Sequence, residues 1–190
     1  LAGLQPPLAG EYNLARLTRQ QLAQRLALVL TERVSLESVS VHDVVAMGRF
    51  PYTSFLGGLS AEDEAQIAQA LQEVAMEKYR ETAFNALSDG EKQRVLIAKA
   101  LAQHTPIILL DEPTAHLDLP NRISVLQLLH RLAQDEHKTV LVSTHELDLA
   151  LRISDRILLM SPSGIALDTA DGLREKDAFR EAFQMDIFHF

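Results

Sequence analysis

Two acidic residues, Asp111 and Glu112, directly follow a short and wholly apolar run at 107–110. Such a run is typical of a strand buried on both faces of a parallel sheet, and α/β sheets bind ligands at the carboxyl ends of their strands. An aspartate there can hold Mg²⁺ through its water shell, and the adjacent glutamate can orient or deprotonate a water that attacks a phosphate. The alternative is that the two acids cap a turn before Pro113.

A second group of candidate residues stands at 87–91, before a predicted helix over 92–102. Ser88 and Glu91 have the spacing of a capping box, in which each side chain accepts a hydrogen bond from the other residue's backbone. A serine hydroxyl, the N–H of Gly90 and a helix N-terminus can also bind a phosphate together. The same geometry serves both purposes, so both interpretations can hold at once.

His145 is the third candidate, and it follows a second predicted buried strand, over 139–142. At the carboxyl edge of the strand next in sequence to the one that bears Asp111, its imidazole can reach a phosphate or the attacking water. The ring can also donate a hydrogen bond that reports whether phosphate is present. The alternative is a structural role, which is more common for a single histidine.

Hydrophobic periodicity predicts the elements that must position these residues. We expect strands over 26–30, 107–110, 139–142 and 156–160 and helices over 14–24 and 147–152. A further helix is expected to bury one face, formed by Ile123, Leu126, Leu129 and Ala133. Strand and helix alternate, which indicates an α/β fold with a parallel sheet and right-handed crossovers.

A predominantly helical stretch at roughly 34–103 interrupts this alternation. Inside it, Ser60 and Asp63 have the spacing of a capping box, and an apolar stripe at helical spacing follows, formed by Ile67, Ala70, Leu71 and Val74. We therefore expect an α/β core made of 1–33 and 104–190, with a helical subdomain over 34–103 inserted into it.

The composition excludes several classes of protein. A chain of 190 residues with 47% hydrophobic and 23% charged residues is typical of one globular domain, alone or with a subdomain. Without cysteine there is no disulfide framework and no thiolate metal site. A net charge of −8 argues against a general nucleic-acid binder. No apolar run approaches the ~20 residues of a membrane span and no signal peptide is visible, so we expect a cytoplasmic chain.

Taken together, these motifs resemble those of the ATP-binding-cassette (ABC) ATPases. The Ser-Asp-Gly-Glu of 88–91, followed by Gln93 and Arg94, resembles the signature sequence of that family. Asp111 and Glu112 resemble the Walker B aspartate and the catalytic glutamate, residues 115–118 resemble the D-loop, and His145 resembles the switch histidine. This order and spacing are specific to ABC ATPases, and the resemblance covers essentially the whole chain.

The resemblance implies a P-loop-NTPase-like (RecA-like) parallel sheet with an inserted α-helical subdomain. It also implies a head-to-tail dimer that sandwiches two ATP molecules, with Mg²⁺ as the metal cofactor. By this resemblance, Ser88 and Gly90, with Glu91 beside them, would contact the γ-phosphate of an ATP held by the other subunit. Asp111 would organise Mg²⁺, Glu112 would polarise the water, and His145 would contact the γ-phosphate. Asp118 would couple the two sites across the interface.

Three positions depart from the family pattern. Asp89 stands where glycine is usual and Glu91 where glutamine is usual, so negative charge is added near the expected phosphate. After the strand at 26–30, the family normally has a Q-loop glutamine, whereas this chain has Thr31-Glu32-Arg33. The hydroxyl of Thr31 can still coordinate, so we assign Thr31 the Q-loop contacts to Mg²⁺ and nucleotide.

No G-x-x-x-x-G-K-[ST] motif occurs in the chain. That loop supplies the backbone cradle and the lysine that hold the β- and γ-phosphates. In the family it ends shortly before the position matched by 1–6, and this chain begins with Leu1 rather than methionine. We therefore expect that the N-terminal strands and the P-loop are missing from this chain, and that it binds ATP weakly or not at all.

The segment 47–52, Met-Gly-Arg-Phe-Pro-Tyr, resembles the G-R-x-P-[YH] segment of importers for iron–siderophore, haem and vitamin B12. The resemblance implies the ATP-hydrolysing subunit of an importer of an iron complex, at the cytoplasmic face of the inner membrane. Its implied partners are a second ATPase subunit, transmembrane permease subunits and, indirectly, a periplasmic or lipoprotein substrate-binding protein, with no nucleic acid.

Three alternatives remain open at this point. The segment 47–52 can be a turn built by Gly48 and Pro51, with Phe50 and Tyr52 as packing residues. The protein can be a non-catalytic or regulatory cassette. It can also be a soluble ABC ATPase that acts on nucleic acid.

Overall fold

The computed structural model describes residues 16–30, 38–53, 58–135, 137–162 and 164–183. The chain divides into two compact units, Leu1–Ser143 and Thr144–Phe190, and each has a hydrophobic cluster of its own. The predicted α/β core and helical subdomain follow different boundaries and stay a prediction. Among the described helices, none has both the length and the apolar character needed to cross a bilayer.

The first unit contains a three-stranded parallel sheet, ordered β1 (Leu26–Val29), β2 (Ile107–Asp111) and β3 (Thr139–Ser143). Leu26 pairs with Ile107, and Asp111 pairs with Ser143. The predicted parallel sheet is thereby confirmed. Because parallel strands present their carboxyl ends at one edge, Asp111 and Ser143 lie side by side at that edge.

The burial of this sheet differs from the prediction that its central strands are buried on both faces. In β2, Ile108 and Leu110 are 1% and 2% exposed, whereas the alternate residues Ile107 and Leu109 are only half-buried. In β3 every residue is exposed or half-buried. Successive side chains point to opposite faces, and only one face of β2 is fully covered by the residues that the structure describes. The prediction of a buried strand at 139–142 is therefore wrong.

Helices fill the described parts of the stretch between β1 and β2, as predicted. They are α2 (Val41–Ala46), a 3₁₀ turn (Met47–Arg49), α3 (Ala61–Glu73) and α4 (Asp89–Ala102), with shorter 3₁₀ turns at Glu77–Tyr79 and Phe84–Ala86. The predicted capping box at Ser60 is present, with Asp63 as its partner. The predicted apolar stripe is buried, with Ile67, Ala70, Leu71 and Val74 at 0–2% exposure.

Two helices differ in extent or in face from the prediction. Helix α1 (Arg19–Ala23) begins after Thr18, whose extended backbone and capping hydroxyl exclude a continuous helix from 14. Helix α5 (Leu119–Gln134) buries Val125, Leu126, Leu128, Leu129 and Leu132, while Ile123 is 43% exposed. The predicted face was right at Leu126 and Leu129 but wrong at Ile123, because the packing partners of α5 select the neighbouring stripe.

The segment 47–52 joins several elements of the first unit. A Cβ on Gly48 would lie 2.2 Å from the carbonyl oxygen of Lys99 in α4, so only glycine fits there. Arg49 is 5% exposed and donates to Asp63 at 2.8 Å and to the Ala102 carbonyl at 2.7 Å. Its guanidinium lies over the ring of Tyr52, 4.2 Å from the centroid.

Phe50 and Tyr52 were expected to pack, and neither is buried: Tyr52 is 38% exposed and contacts the rest of the chain through polar groups. The Tyr52 hydroxyl donates to the Gln103 carbonyl at 2.9 Å, whereas Phe50 is 68% exposed. The Pro51 carbonyl accepts a hydrogen bond from Gln20 at 3.1 Å, which ties the turn to α1. Phe50 is thus not a packing residue among the described parts of the chain.

The second unit contains α6 (Leu147–Ile153), β4 (Ile157–Ser161), β5 (Gly164–Asp168), α7 (Ala170–Glu175) and α8 (Ala178–Phe183). Its core is Ile157, Leu159, Leu173 and Phe179. The strand predicted at 156–160 was expected to extend the parallel sheet, and this is wrong: among the described residues, β4 belongs to a separate two-stranded sheet, in which it pairs antiparallel with β5. Ser161 pairs with Gly164, whose φ of +140° suits a tight hairpin that a side chain would strain.

Candidate functional site

Asp111 and Glu112 lie where the sequence analysis expected them, at the carboxyl end of β2. Asp111 is the last residue of the strand and is exposed, and Glu112 follows it with a left-handed backbone, φ +43°. Few residues other than glycine adopt that conformation unless their surroundings impose it. Here the Glu112 N–H donates to the carbonyl oxygen of Ser143 at 3.0 Å and to its Oγ at 3.2 Å.

Ser143 completes this group and was missed by the sequence analysis. Its Oγ donates a hydrogen bond to Oδ1 of Asp111 while it accepts from the Glu112 N–H. The available signal was its position, since the last residue of β3 is the ladder partner of the last residue of β2. A hydroxyl at that point of a parallel sheet is within reach of the neighbouring carboxylate.

The donor set at this edge suits Mg²⁺. One exposed carboxylate, Asp111, stands beside one hydroxyl, Ser143. Mg²⁺ usually keeps several waters and binds through one or two carboxylates together with substrate phosphates, rather than in a cage made of protein alone. The described residues contain no cluster of three or more His, Asp or Glu side chains that could hold a metal by themselves.

The signature segment forms the predicted capping box at the start of α4. The N–H and the hydroxyl of Ser88 both donate to Oε2 of Glu91, at 2.9 and 2.7 Å, and the Glu91 N–H returns a bond to Ser88 Oγ at 3.4 Å. The hydroxyl and N–H of Ser88 hold the pKa of the Glu91 carboxyl below its usual range. The carboxylate is therefore ionised at neutral pH, at the positive end of a 14-residue helix.

Gly90 is buried against the start of α5. A Cβ at Gly90 would lie 2.6 Å from Cγ of Asn121, which is closer than unbonded carbon atoms approach. The backbone N–H of Asn121 donates at 3.1 Å to Oδ1 of Asp118, the N-cap of α5. Through Asn121, the signature glycine and the D-loop aspartate are therefore neighbours within one subunit.

A second contact between the same two helices lies one turn further along. Arg94 of α4 donates to Ser124 of α5 through Nη2 and to the Val74 carbonyl through Nη1 at 3.0 Å. The signature helix is thus fixed both to α5 and to the end of α3. Asn121 and Ser124 were not among the predicted site residues, because only the packing of α5 on α4 brings their side chains to Gly90 and Arg94.

Two further predicted site residues lie outside this arrangement. His145 belongs to the second unit and is exposed, and next to it the Glu146 N–H donates to Thr144 Oγ1 at 3.0 Å. Its placement against Asp111 and Glu112 stays a prediction. Thr31 lies outside the described residues, so its assignment to Mg²⁺ and nucleotide also stays a prediction.

Comparison with known proteins agrees with these motifs. A model of the ABC transporter family matches residues 1–115. The iron(3+)-hydroxamate import ATP-binding protein FhuC of Bacillus subtilis is 37% identical over 90% of this chain and 64% of the relative. The petrobactin import ATP-binding protein FpuD of Bacillus anthracis is 34% identical over 98% of this chain and 70% of the relative. The chain spans 58–64% of the length of several curated relatives, including FhuC.

A solved structure shows the same fold. An ABC transporter described as metal-chelate type, in an inward-facing conformation, superposes with a TM-score of 0.79 at 30% identity, over 85% of this chain and 64% of that chain. The likeness confirms the predicted α/β, P-loop-NTPase-like fold class. Family match, relatives and fold agree: the chain belongs to the ABC transporter family of ATP-binding proteins.

Proposed function

We propose that this protein is the ATP-hydrolysing subunit of an ABC importer whose cargo is an iron complex. The observation that carries the enzymatic part is the sheet edge at which Asp111 and Glu112 share Ser143 as a hydrogen-bonding partner. The cargo is inferred from the similarity to proteins that import iron-hydroxamate and petrobactin. The resemblance of 47–52 to the iron–siderophore importers supports the same cargo.

The nucleotide would be shared between two subunits. Ser88, Gly90 and Glu91 stand at the N-terminus of α4, where aligned backbone dipoles favour an anion. We assign Ser88 and Gly90 to the γ-phosphate of an ATP held by a second copy of the subunit, with Glu91 beside them, and Asp118 to the coupling of the two sites. A similar cassette (TM-score 0.60, 30% identity) was solved as a dimer bound to ADP and Pi, which supports this arrangement.

Hydrolysis would take place at the edge of the sheet. Asp111 would hold Mg²⁺, with Thr31 as a further ligand, and the bound ion would offset charge on the β- and γ-phosphates. Glu112 would orient a water and accept its proton as the water attacks the γ-phosphorus, with ADP as the leaving group. His145 would donate a hydrogen bond to the γ-phosphate.

The partners and the location follow from the importer assignment. The subunit would dock on transmembrane permease subunits at the cytoplasmic face of the inner membrane. A periplasmic or lipoprotein substrate-binding protein would act on the permease from the other side. No nucleic acid is expected, because the net charge of −8 opposes binding to a polyanion.

Residues 1–190 alone are expected to bind ATP weakly. They contain no G-x-x-x-x-G-K-[ST] motif, which in P-loop enzymes holds the β- and γ-phosphates. Titration of the 190-residue chain with a fluorescent ATP analogue checks this expectation. Tight binding by the 190-residue chain would contradict it.

The importer assignment is tested with the full-length protein and with cells that lack their own copy of its gene. We expect Glu112→Gln to lower ATP hydrolysis by about 10²–10⁴-fold, because it removes the general base. We also expect it to abolish uptake of an iron complex. The control Glu62→Gln changes an exposed carboxylate of α3 and should alter both readouts by no more than about twofold.

The outcomes separate the parts of this proposal. Unchanged hydrolysis by Glu112→Gln would contradict the catalytic assignment. Uptake of cobalamin but of no iron complex would contradict the cargo. Stimulation of hydrolysis by DNA or RNA, without stimulation by permease in vesicles, would favour the nucleic-acid alternative.

A further inference from the structure

The side chain of Ser143 connects the two acidic residues proposed to act in hydrolysis. Its Oγ donates to Oδ1 of Asp111 and accepts from the backbone N–H of Glu112 at 3.2 Å. A hydroxyl can do both at once, because it has one donor and two acceptor positions. Neither alanine nor valine at this position could make either contact.

The contact between Ser143 Oγ and the Glu112 N–H matters because of the unusual backbone conformation of Glu112. With φ at +43°, this residue has a conformation that side-chain-bearing residues rarely adopt. Its N–H is held by Ser143 twice, through the carbonyl oxygen at 3.0 Å and through Oγ. The direction in which the Glu112 side chain leaves the backbone is set by this peptide, so Ser143 influences where the carboxylate can reach.

The first contact fixes the orientation of the Asp111 carboxylate. In the parallel ladder Asp111 and Ser143 are direct partners, so the strands themselves bring the hydroxyl to the carboxylate. Ser143 accepts and donates at the same sheet edge where Mg²⁺ and the attacking water are proposed to stand. Partners of this kind, which orient a metal ligand, commonly alter metal affinity or activity by 10–100-fold when they are removed.

We propose that Ser143 is a positioning residue of the hydrolytic site. Its hydroxyl orients the Asp111 carboxylate toward Mg²⁺ and holds the Glu112 peptide in the conformation that directs its carboxylate to the water. This proposal rests on the proposed ATP hydrolysis, and it assigns Ser143 no contact with ATP.

The test compares two substitutions of almost identical shape in the full-length protein. Ser143→Thr keeps the hydroxyl, whereas Ser143→Val replaces it with a methyl group, and both side chains suit a strand. Ser143→Ala serves as a second variant without the hydroxyl. Thr139→Val exchanges a hydroxyl for a methyl group at the other, exposed end of β3 and serves as the control.

We expect Ser143→Val and Ser143→Ala to lower kcat for ATP by roughly 10-fold or more and to weaken Mg²⁺ binding by a similar factor, measured without turnover by electron paramagnetic resonance of Mn²⁺ in its place. The KM for ATP should stay within about twofold, because the hydroxyl is not assigned to nucleotide binding. Ser143→Thr should keep most of the wild-type kcat. Thr139→Val should behave as wild type in all three readouts.

Three results would overturn the proposal. Wild-type kcat and metal binding in Ser143→Val, measured alongside an inactive Glu112→Gln, would show that hydrolysis does not need the hydroxyl. An equal loss in Ser143→Thr and Ser143→Val would assign the effect to size. Absence of ATP hydrolysis in the wild-type full-length protein would instead contradict the proposed function, and this inference with it.

Discussion

Glu91 has two roles at the scale of the single residue. Its carboxylate accepts two hydrogen bonds from Ser88 and thereby caps α4, and its charge stands beside the position proposed for a phosphate. The first role needs an oxygen acceptor and the second depends on charge. Glutamine, which is usual at this position of the ABC signature sequence, supplies the acceptor without the charge. Glu91→Gln therefore separates the two roles.

We expect Glu91→Gln to lower the KM for ATP of the full-length protein by about twofold to fivefold, the size of an exposed charge interaction. The pKa of Glu91 lies below its usual range, so the wild-type residue repels phosphate at neutral pH. The difference should shrink at high salt, because screening weakens interactions between exposed charges. Steady-state kinetics at low and high salt measure it, with Glu62→Gln as control. A KM that rises in Glu91→Gln would contradict this expectation.

At the scale of the element, helices α4 and α5 meet where Gly90 faces Asn121. The contact leaves no room for a Cβ at Gly90, which would lie 2.6 Å from Asn121 Cγ and 2.8 Å from its Oδ1. Asn121 in turn is bonded to the Asp118 cap. We infer that Gly90 makes room for the Asn121 side chain between the signature helix and α5, in addition to the phosphate contact assigned to it.

A pair of substitutions tests this packing. Gly90→Ala should destabilise the protein by about 1–3 kcal/mol through overpacking, less the roughly 1 kcal/mol that alanine gains over glycine in a helix. In an Asn121→Ala background the clash is absent, so Gly90→Ala should become neutral or stabilising. Urea unfolding of the wild type, both single variants and the double variant gives the coupling. Additive effects would contradict the contact.

The activity of the double variant separates packing from phosphate binding. If Gly90 also allows close approach of the γ-phosphate, the double variant should regain stability while ATP hydrolysis stays impaired. If packing is its only role, hydrolysis should return with stability. In both cases, the stability and the ATP hydrolysis of the double variant are compared with those of Asn121→Ala alone.

Local rules of sequence predicted part of this fold and site. Capping boxes at Ser60 and Ser88 and the position of Asp111 at a strand end depend on neighbours in sequence, and these predictions were confirmed. β4 was expected to extend the parallel sheet and instead forms a local hairpin with β5. The exposure of β3 depends on distant partners, and it was also predicted wrongly. Ser143 was missed for the same reason, since only the register of β3 against β2 brings it to Asp111.

At the scale of the whole molecule, a buried ion pair in the first unit is expected to make folding stability depend on pH. Arg49 and Asp63, whose side chains are 6% and 7% exposed, bond at 2.8 Å and join the 47–52 segment to α3. Asp63 also accepts from the N–H and hydroxyl of Ser60. Hydrogen bonds from Ser60 and then from Arg49 lower the pKa of Asp63 from 3.8 to about 2.

This pair makes unfolding depend on pH in a definite direction. Because the folded-state pKa is the lower one, the contribution of Asp63 is complete above pH 3.8 and is lost as pH falls toward about 2. Asp63→Asn should lower the free energy of unfolding at pH 7 by about 3 kcal/mol, since it leaves Arg49 buried without a counter-ion. The loss relative to wild type should diminish as pH falls through that window.

Urea unfolding followed by circular dichroism from pH 7 to the acid limit of the folded state measures both effects. The lowered pKa values of Asp43, Glu64 and Glu91 are common to wild type and variant, so the difference between the two curves isolates Asp63. Glu81→Gln is the matched control, because Glu81 pairs with Arg80 at 3.5 Å while 85% exposed. An exposed pair is worth less than about 1 kcal/mol. Equal losses in the two variants, or a difference that does not change with pH, would contradict the role given to the buried pair.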